Sequence, residues 1–250
     1  MQLSDHLDSH VDAYEQKFPY YEENRIMCIA YGERIAGYIQ DHDARSALSL
    51  GIGYTEVTRR ILGQLNSGTL QRYVVVDGAP KIIQAFRGSL DAVPRGLKLV
   101  EGFFESVELL ERFDVIEAGF ILEHVDDPAL ILRRLHQYLA PTGRLFLAVP
   151  NARSLHRLLG FHAGLLKDMY VLSDGDLALG HKRYFDLQSL TSLITECGYR
   201  IQKAGGLFLK PFTTSQMNAL SLTPSVWQAL VTVSDDLPEI SNAMYMEVTA

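Results

Sequence analysis

Short apolar runs recur in this chain between stretches of helical spacing: Ala47 to Leu50, Tyr73 to Val76, Leu97 to Val100, Val115 to Ala118 and Leu145 to Val149. Runs of that length, alternating with helices, predict parallel strands joined by crossover helices, because only such an order buries both faces of each strand. The intervening segments agree. Val57, Ile61, Leu62 and Leu65 recur at helical spacing, as do Leu130, Leu132, Leu135 and Leu139. Pro80 follows "VVVDGA" where a first helical turn would begin, a position that tolerates its missing N–H. The pattern is a βαβαβ half with more to follow, and "YRIQKAGGLFLK" and "NAMYMEV" read as two late strands.

Two regions fall outside the alternation. Residues from about Asp5 to Asp41 read as helices rich in tyrosine (Tyr14, Tyr20, Tyr21, Tyr31), and an extra segment runs from Asn151 to Asp186. No repeat, linker or low-complexity tract separates them from the rest, so a single domain is expected: 1–45 a helical cap, 46–150 a ligand-binding core, 151–186 a lid insertion, 187–250 late strands and helices. A length of 250 residues with 47% hydrophobic content suffices for one sizeable core. No window approaches the roughly 20 apolar residues of a membrane span, and the first residues lack a basic and an apolar region of the secretory kind. A cytoplasmic protein with no membrane partner, monomeric or homodimeric, is therefore expected. A formal charge of −7 weakens any case for nucleic acid. Cys28 and Cys197 read as core thiols on helices.

The first strand runs into "ALSLGIGYT", two glycines ahead of a helix, where an open α/β sheet usually cradles its ligand. A dinucleotide fold would want a third glycine at position 56; here Glu56 stands in the first helical turn and disfavours a pyrophosphate. The second strand closes on Asp77, an acid able to accept both hydroxyls of an adenosine ribose. With "FDVIEAGFILEHVDDP" from Phe113 and "LRRLHQYLAPTGRLFLAVPN" from Leu132, the chain resembles the class I S-adenosylmethionine-dependent methyltransferases, over about Ser46 to Asn151. "GHKRYFDLQSLTSLITECGYRI" resembles the segment after the core in members that act on small molecules.

The resemblance implies a three-layer Rossmann-like α/β fold with a seven-stranded, mostly parallel sheet in the order 3-2-1-4-5-7-6, and S-adenosylmethionine as cofactor. The residues it brings to that cofactor are Ser49, Gly51, Gly53, Tyr54, Asp77, Gly78, Phe103, Phe104, Glu117 and Phe120, with Tyr14 and Tyr20 closing over the methionine end. Three positions depart from the family. Members usually carry an acid where Ser49 stands, near the ligand's amino group, and a glycine where Thr55 stands, here a candidate helix N-cap. Phe103 also occupies the place of an acid that often meets the adenine amino group. Glu117, an acid inside an apolar strand, is expected to face the ligand or to pair with a lid cation such as Arg25 or Arg183.

Methyl transfer asks chiefly for an aimed nucleophile, and for a hydroxyl acceptor a nearby base. His124 in "LEHV" and His181 in "LGHKRYF" are the candidates, with Lys182 and Arg183 available to anionic substrate groups. Glu123 and His124 resemble the carboxylate and imidazole pair of certain quinone-pathway O-methyltransferases. Those enzymes place a further acid where this chain has Phe120, so no metal is expected. The function expected is O- or N-methylation of a small polar metabolite, such as a sugar or a secondary-metabolite intermediate. The rivals are a non-catalytic S-adenosylmethionine-binding accessory protein and a methyltransferase acting on a peptide or nucleic acid.

Overall fold

The computed structural model describes residues 17–250. Tyr14 and the start of the expected N-terminal helices lie outside the described residues. A long helix α1 (Tyr21–Asp41) leads into strand β1 (Ser46–Leu50), followed by α2 (Thr55–Asn66), β2 (Arg72–Asp77), α3 (Pro80–Gly88), β3 (Leu97–Glu101), β4 (Phe113–Gly119), α4 (Pro128–Tyr138) and β5 (Leu139–Pro150). Two short helices, α5 (Leu155–His162) and α6 (Asp174–Ala178), occupy the segment read as a lid. The chain ends with α7 (Leu187–Glu196), β6 (Arg200–Gly206), α8 (Thr214–Ala219), α9 (Pro224–Ser234) and β7 (Ala243–Thr249). One seven-stranded sheet results, in the order β3-β2-β1-β4-β5-β7-β6. The first five strands are parallel, and β7 runs antiparallel between β5 and β6. This is the expected topology.

Each sheet face carries its own core. On one side Tyr31, Ile35 and Ile39 of α1 pack with Ile61 and Leu65 of α2, Ile83 and Phe86 of α3 and the strand residues Ala47, Tyr73, Val115 and Phe146. On the other, Ile131, Leu132 and Leu135 of α4 and Leu190 and Ile194 of α7 cover Leu48, Val74, Ile116 and Leu147. Alternate residues of the same strands thus feed opposite cores, the period-two rule applied to a sheet covered on both sides. Burying each such side chain stabilises the fold by about 1.5–3 kcal/mol.

Local details differ from the sequence reading. Thr55 is the first residue of α2 rather than its cap; Tyr54 precedes it in extended conformation and makes no side-chain capping bond. The fifth strand begins at Leu139, so "APTG" is part of β5, with a register shift between Phe113 and Val115 where it joins β4. Gly143 permits this because a Cβ there would lie 2.9 Å from the Phe113 carbonyl oxygen. Cys28 is buried in α1 as expected, whereas Cys197 follows the last turn of α7 and is half-buried.

Candidate functional site

The carboxyl ends of β1, β2 and β4 open into a cavity of about 1300 Å³, walled by α1, by the 151–186 segment and by residues 210–218. Its floor is backbone. Gly51 and Gly53 both take positive φ (78° and 43°), and a Cβ on Gly51 would sit 3.1 Å from Ile121 Cδ1. A side chain there would be strained and would fill the cradle. Asp77 ties the floor together: its Oδ2 accepts from the Ile52 N–H and its Oδ1 from the Ala79 N–H, both at 2.8 Å. The carboxylate is thereby held at the mouth of two strand-to-helix loops.

Of the residues expected at the cofactor, Gly51, Gly53, Tyr54, Asp77, Gly78, Phe103, Phe104, Glu117, Phe120 and Tyr20 all line this cavity. Ser49 does not. It is fully buried beneath the floor, its hydroxyl 2.8 Å from that of Tyr73. Tyr54 is steadied by α1, where Asn24 Nδ2 donates to its hydroxyl at 3.1 Å and Tyr21 packs against its ring. Phe120 adopts left-handed φ (59°), a conformation that costs roughly 1–2 kcal/mol in a residue with a Cβ. Its N–H donates to the Ala148 carbonyl at 2.7 Å, and its ring meets Tyr31 edge-on.

Glu117 is buried, and burial pushes its carboxyl up to about 7, although the Gly119 N–H (2.7 Å to Oε1) and the Ser49 hydroxyl pull the other way. Neither cation proposed for it is engaged with it. Arg25 pairs with Glu22, and Arg183 donates to the carbonyls of Leu122, Val125 and Asp126. Lys182 pairs with Asp126 at the surface. Both basic residues expected to meet substrate anions are therefore committed to the loop after β4.

The two candidate histidines come together above the floor, their rings 4.8 Å apart and nearly perpendicular. His181 Nδ1 lies 3.1 Å from Asp176 Oδ1, and the other Asp176 oxygen accepts from Tyr184 (2.7 Å) and from Ser173. These hydrogen bonds hold the Asp176 carboxyl well below the usual range despite its burial. Beside the pair, Glu123 is completely buried, neither of its oxygens has a hydrogen-bond partner, and burial raises its carboxyl to about 7. Ligand atoms of Glu123, His124 and His181 fall within 4.8 Å of one another, a spacing that one divalent cation would fit.

A further polar corner of the cavity escaped the sequence reading. Lys210 Nζ donates to Glu23 Oε2 at 2.6 Å and to Thr214 at 2.9 Å, over the face of Tyr20. His156 lies on the same side, driven down to about 3 by burial and by the positive charges of Lys210 and Arg157. Arg157 is itself spent on the carbonyls of Met169 and Val171 and on Tyr184. Glu23 and Lys210 lie at opposite ends of the chain, so no motif could have joined them. Asp176 did leave a trace, because "SDGD" has the spacing of a capping box, which the structure forms at the start of α6.

Comparison with known proteins follows this geometry. A family model described as "Methyltransferase domain" matches residues 30–204. The mitochondrial ubiquinone biosynthesis O-methyltransferase of Schizosaccharomyces pombe is 37% identical over 87 residues, which cover 34% of this chain and 32% of that protein. The match thus spans about a third of the length of that relative. Among solved structures, an S-adenosylmethionine-dependent methyltransferase from Mesorhizobium loti superposes with a TM-score of 0.56 at 16% identity, covering 83% of this chain and 91% of its own. The plantazolicin methyltransferase BpumL in complex with SAH gives 0.60 at 14% identity, over 98% and 96%. Both likenesses are of fold. The chain belongs to the methyltransferase-domain family, and its seven-stranded sheet has the strand order expected of the class I S-adenosylmethionine-dependent methyltransferases.

Proposed function

We propose that this protein methylates an oxygen or nitrogen of a small polar metabolite, a sugar or a secondary-metabolite intermediate being the class that suits the site. The observation that carries the reading is a single cavity lined both by the Gly51–Asp77 cradle and by the His124–His181 pair, and walled on its open side by α1 and the 151–186 segment. At about 1300 Å³ it is somewhat larger than the roughly 300–1,000 Å³ of an ordinary small-molecule site, leaving space for an acceptor beside the cofactor.

The residues fit the cofactor on the evidence of the floor: two glycines in left-handed conformation and a buried carboxylate fixed by two backbone N–H groups. When bound, S-adenosylmethionine supplies an electrophilic methyl group on a positively charged sulfur. Asp77 would hold the ribose hydroxyls, with Gly51, Gly53 and Gly78 giving close backbone approach. Phe103 and Phe104 present faces for the adenine, and the rings of Tyr54, Tyr20 and Phe120 suit the neighbourhood of a cation. Ser49 acts from below, through Glu117. His181, oriented by Asp176, takes the acceptor's proton on its Nε2, and His124 fixes the acceptor against it. Asp176 is the positioning residue, its carboxylate accepting from Nδ1 so that Nε2 is turned to the acceptor.

Calorimetry with S-adenosylhomocysteine on the wild type and on Asp77→Ala tests the binding half. Losing charge-assisted hydrogen bonds should weaken affinity by roughly 1.5–3 kcal/mol per bond, while His42→Ala, on an exposed ring stacked on Tyr38, should change nothing. Methyl-labelled cofactor incubated with fractionated metabolites tests the other half. Label appearing in protein or nucleic acid and in no small molecule would overturn the substrate class, and binding without any transfer would favour an accessory role.

A further inference from the structure

The family's usual acid at position 49 is missing here, and the strand beside it carries an acid that strands of this kind rarely hold. Ser49 on β1 and Glu117 on β4 are register partners in adjacent parallel strands, so their side chains leave the sheet on the same face, side by side. We propose that Glu117 replaces, one strand over, the acid absent at position 49, and that its carboxylate receives the α-ammonium group of the cofactor's methionine portion.

The carboxylate is built into its place. Gly119 N–H donates to Oε1 at 2.7 Å, and the Ser49 hydroxyl links Glu117 to the hydroxyl of Tyr73. Gly119 has no space for a side chain: a Cβ there would lie 2.3 Å from the Tyr31 ring and 3.1 Å from Glu117 Oε1. The backbone therefore closes on the carboxylate from one side, while the other side lines the cavity with Asn24, Cys28 and Gly51.

Nothing positive answers it among the described residues. The titratable groups facing Glu117 are Cys28 and Tyr31 from α1 and Tyr73 from β2, and burial holds the protons on all three. Arg60, the cation near Cys28, pairs with Glu33. A buried carboxylate without a counter-ion is costly. The cost is offset when a ligand brings the cation, and the ammonium group is a point charge with three donors, able to bond a carboxylate and neighbouring carbonyls at once.

This inference rests on the cofactor assignment, and the test separates the two. S-adenosylhomocysteine carries the ammonium group; 5′-methylthioadenosine has the same nucleoside and sulfur without it. Calorimetry should show Glu117→Gln, which keeps the acceptor for Gly119, binding S-adenosylhomocysteine at least 10-fold more weakly and methylthioadenosine within twofold of wild type. Moving the charge back with Ser49→Asp and Glu117→Ala together should restore S-adenosylhomocysteine affinity relative to Glu117→Ala alone, with circular dichroism and the melting midpoint reporting that each variant is folded. Unchanged S-adenosylhomocysteine affinity in Glu117→Gln, or equal loss for both ligands, would overturn the proposal. A wild type that binds neither ligand would overturn the cofactor pose beneath it as well.

Discussion

Glu117 in the floor of the cavity and Glu123 in its wall are both buried, and burial raises both to about 7. Their surroundings differ. Glu117 is held by Gly119, two residues away, and by its strand neighbour Ser49, whereas both oxygens of Glu123 lack hydrogen-bond partners and the groups near it come from the distant 176–183 segment. The floor is made of strand ends and tight loops whose polar groups satisfy one another locally. The wall is assembled from remote pieces of the chain, and its buried carboxylate is shaped by groups far away in sequence rather than by its neighbours.

If the floor binds and the wall reacts, His181→Ala should give the largest effect of any single change. Removing a general base lowers turnover by about 10²- to 10⁴-fold with cofactor affinity unchanged, read by steady-state kinetics beside calorimetry. Asp176→Asn should cost less and should shift the pH profile, because the ring stays while its orienting partner changes. Full activity in His181→Ala, with only a lower melting midpoint, would reduce the histidine to a packing residue and break the comparison.

The Lys210–Glu23 pair sharpens it from the side of stability. Both side chains are almost wholly buried, and Glu23 Oε1 has no partner. Lys210→Met leaves an unanswered carboxylate and should destabilise the fold by about 3–5 kcal/mol in urea titration. Adding Glu23→Gln should recover much of the loss. Additive losses would show that the pair is not the unit the geometry makes it.

How much of this was legible in sequence follows the same division. Strand order and the floor could be read because their information is local: an apolar run, two glycines and an acid within one strand-loop-helix unit. Ser49 differs from the expectation because sequence cannot show that a small side chain falls short of the cavity while its longer neighbour Glu117 reaches it. The wall was legible as single residues only. His124 and His181 could be named, but Asp176 and the Lys210–Glu23 pair depend on contacts that no spacing rule encodes. Lys182 and Arg183 show the same limit, because a basic residue near a site looks alike in sequence whether it faces substrate or, as here, bonds the loop after β4.

Stability against pH compares the two glutamates directly. An unfolded glutamate ionises near 4.5, while each folded one keeps its proton to about 7. Between those values the folded state binds more protons, so the stability each protonated carboxyl contributes is fully present below 4.5 and is lost as pH rises to 7, by about 3 kcal/mol per group. His156, driven down to about 3, works in the opposite sense below 6.5, and Asp176 titrates below this window. The measurement is therefore a difference: wild type minus Glu117→Gln, and wild type minus Glu123→Gln, in urea midpoints from pH 4.5 to 8. Each difference should decline across the window and level off above 7. A flat difference for one glutamate would mean that it is already ionised in the folded protein.

The smallest expected effect is that of removing metal ions. Glu123, His124 and His181 stand close enough to chelate a cation, and the Asp176–His181 contact has the form of a carboxylate that orients a ligand histidine. A proton-handling role requires only that His181 keep Nε2 available, and among the described residues Glu123 is the one acid of the cluster. Dialysis of the purified protein against a strong chelator should thus leave both turnover and S-adenosylhomocysteine affinity unchanged. Turnover that is lost on chelation and returns with zinc or magnesium, at constant S-adenosylhomocysteine affinity, would turn the histidines from proton carriers into ligands. The division between a binding floor and a reacting wall would survive that result, because only the wall's chemistry would have changed.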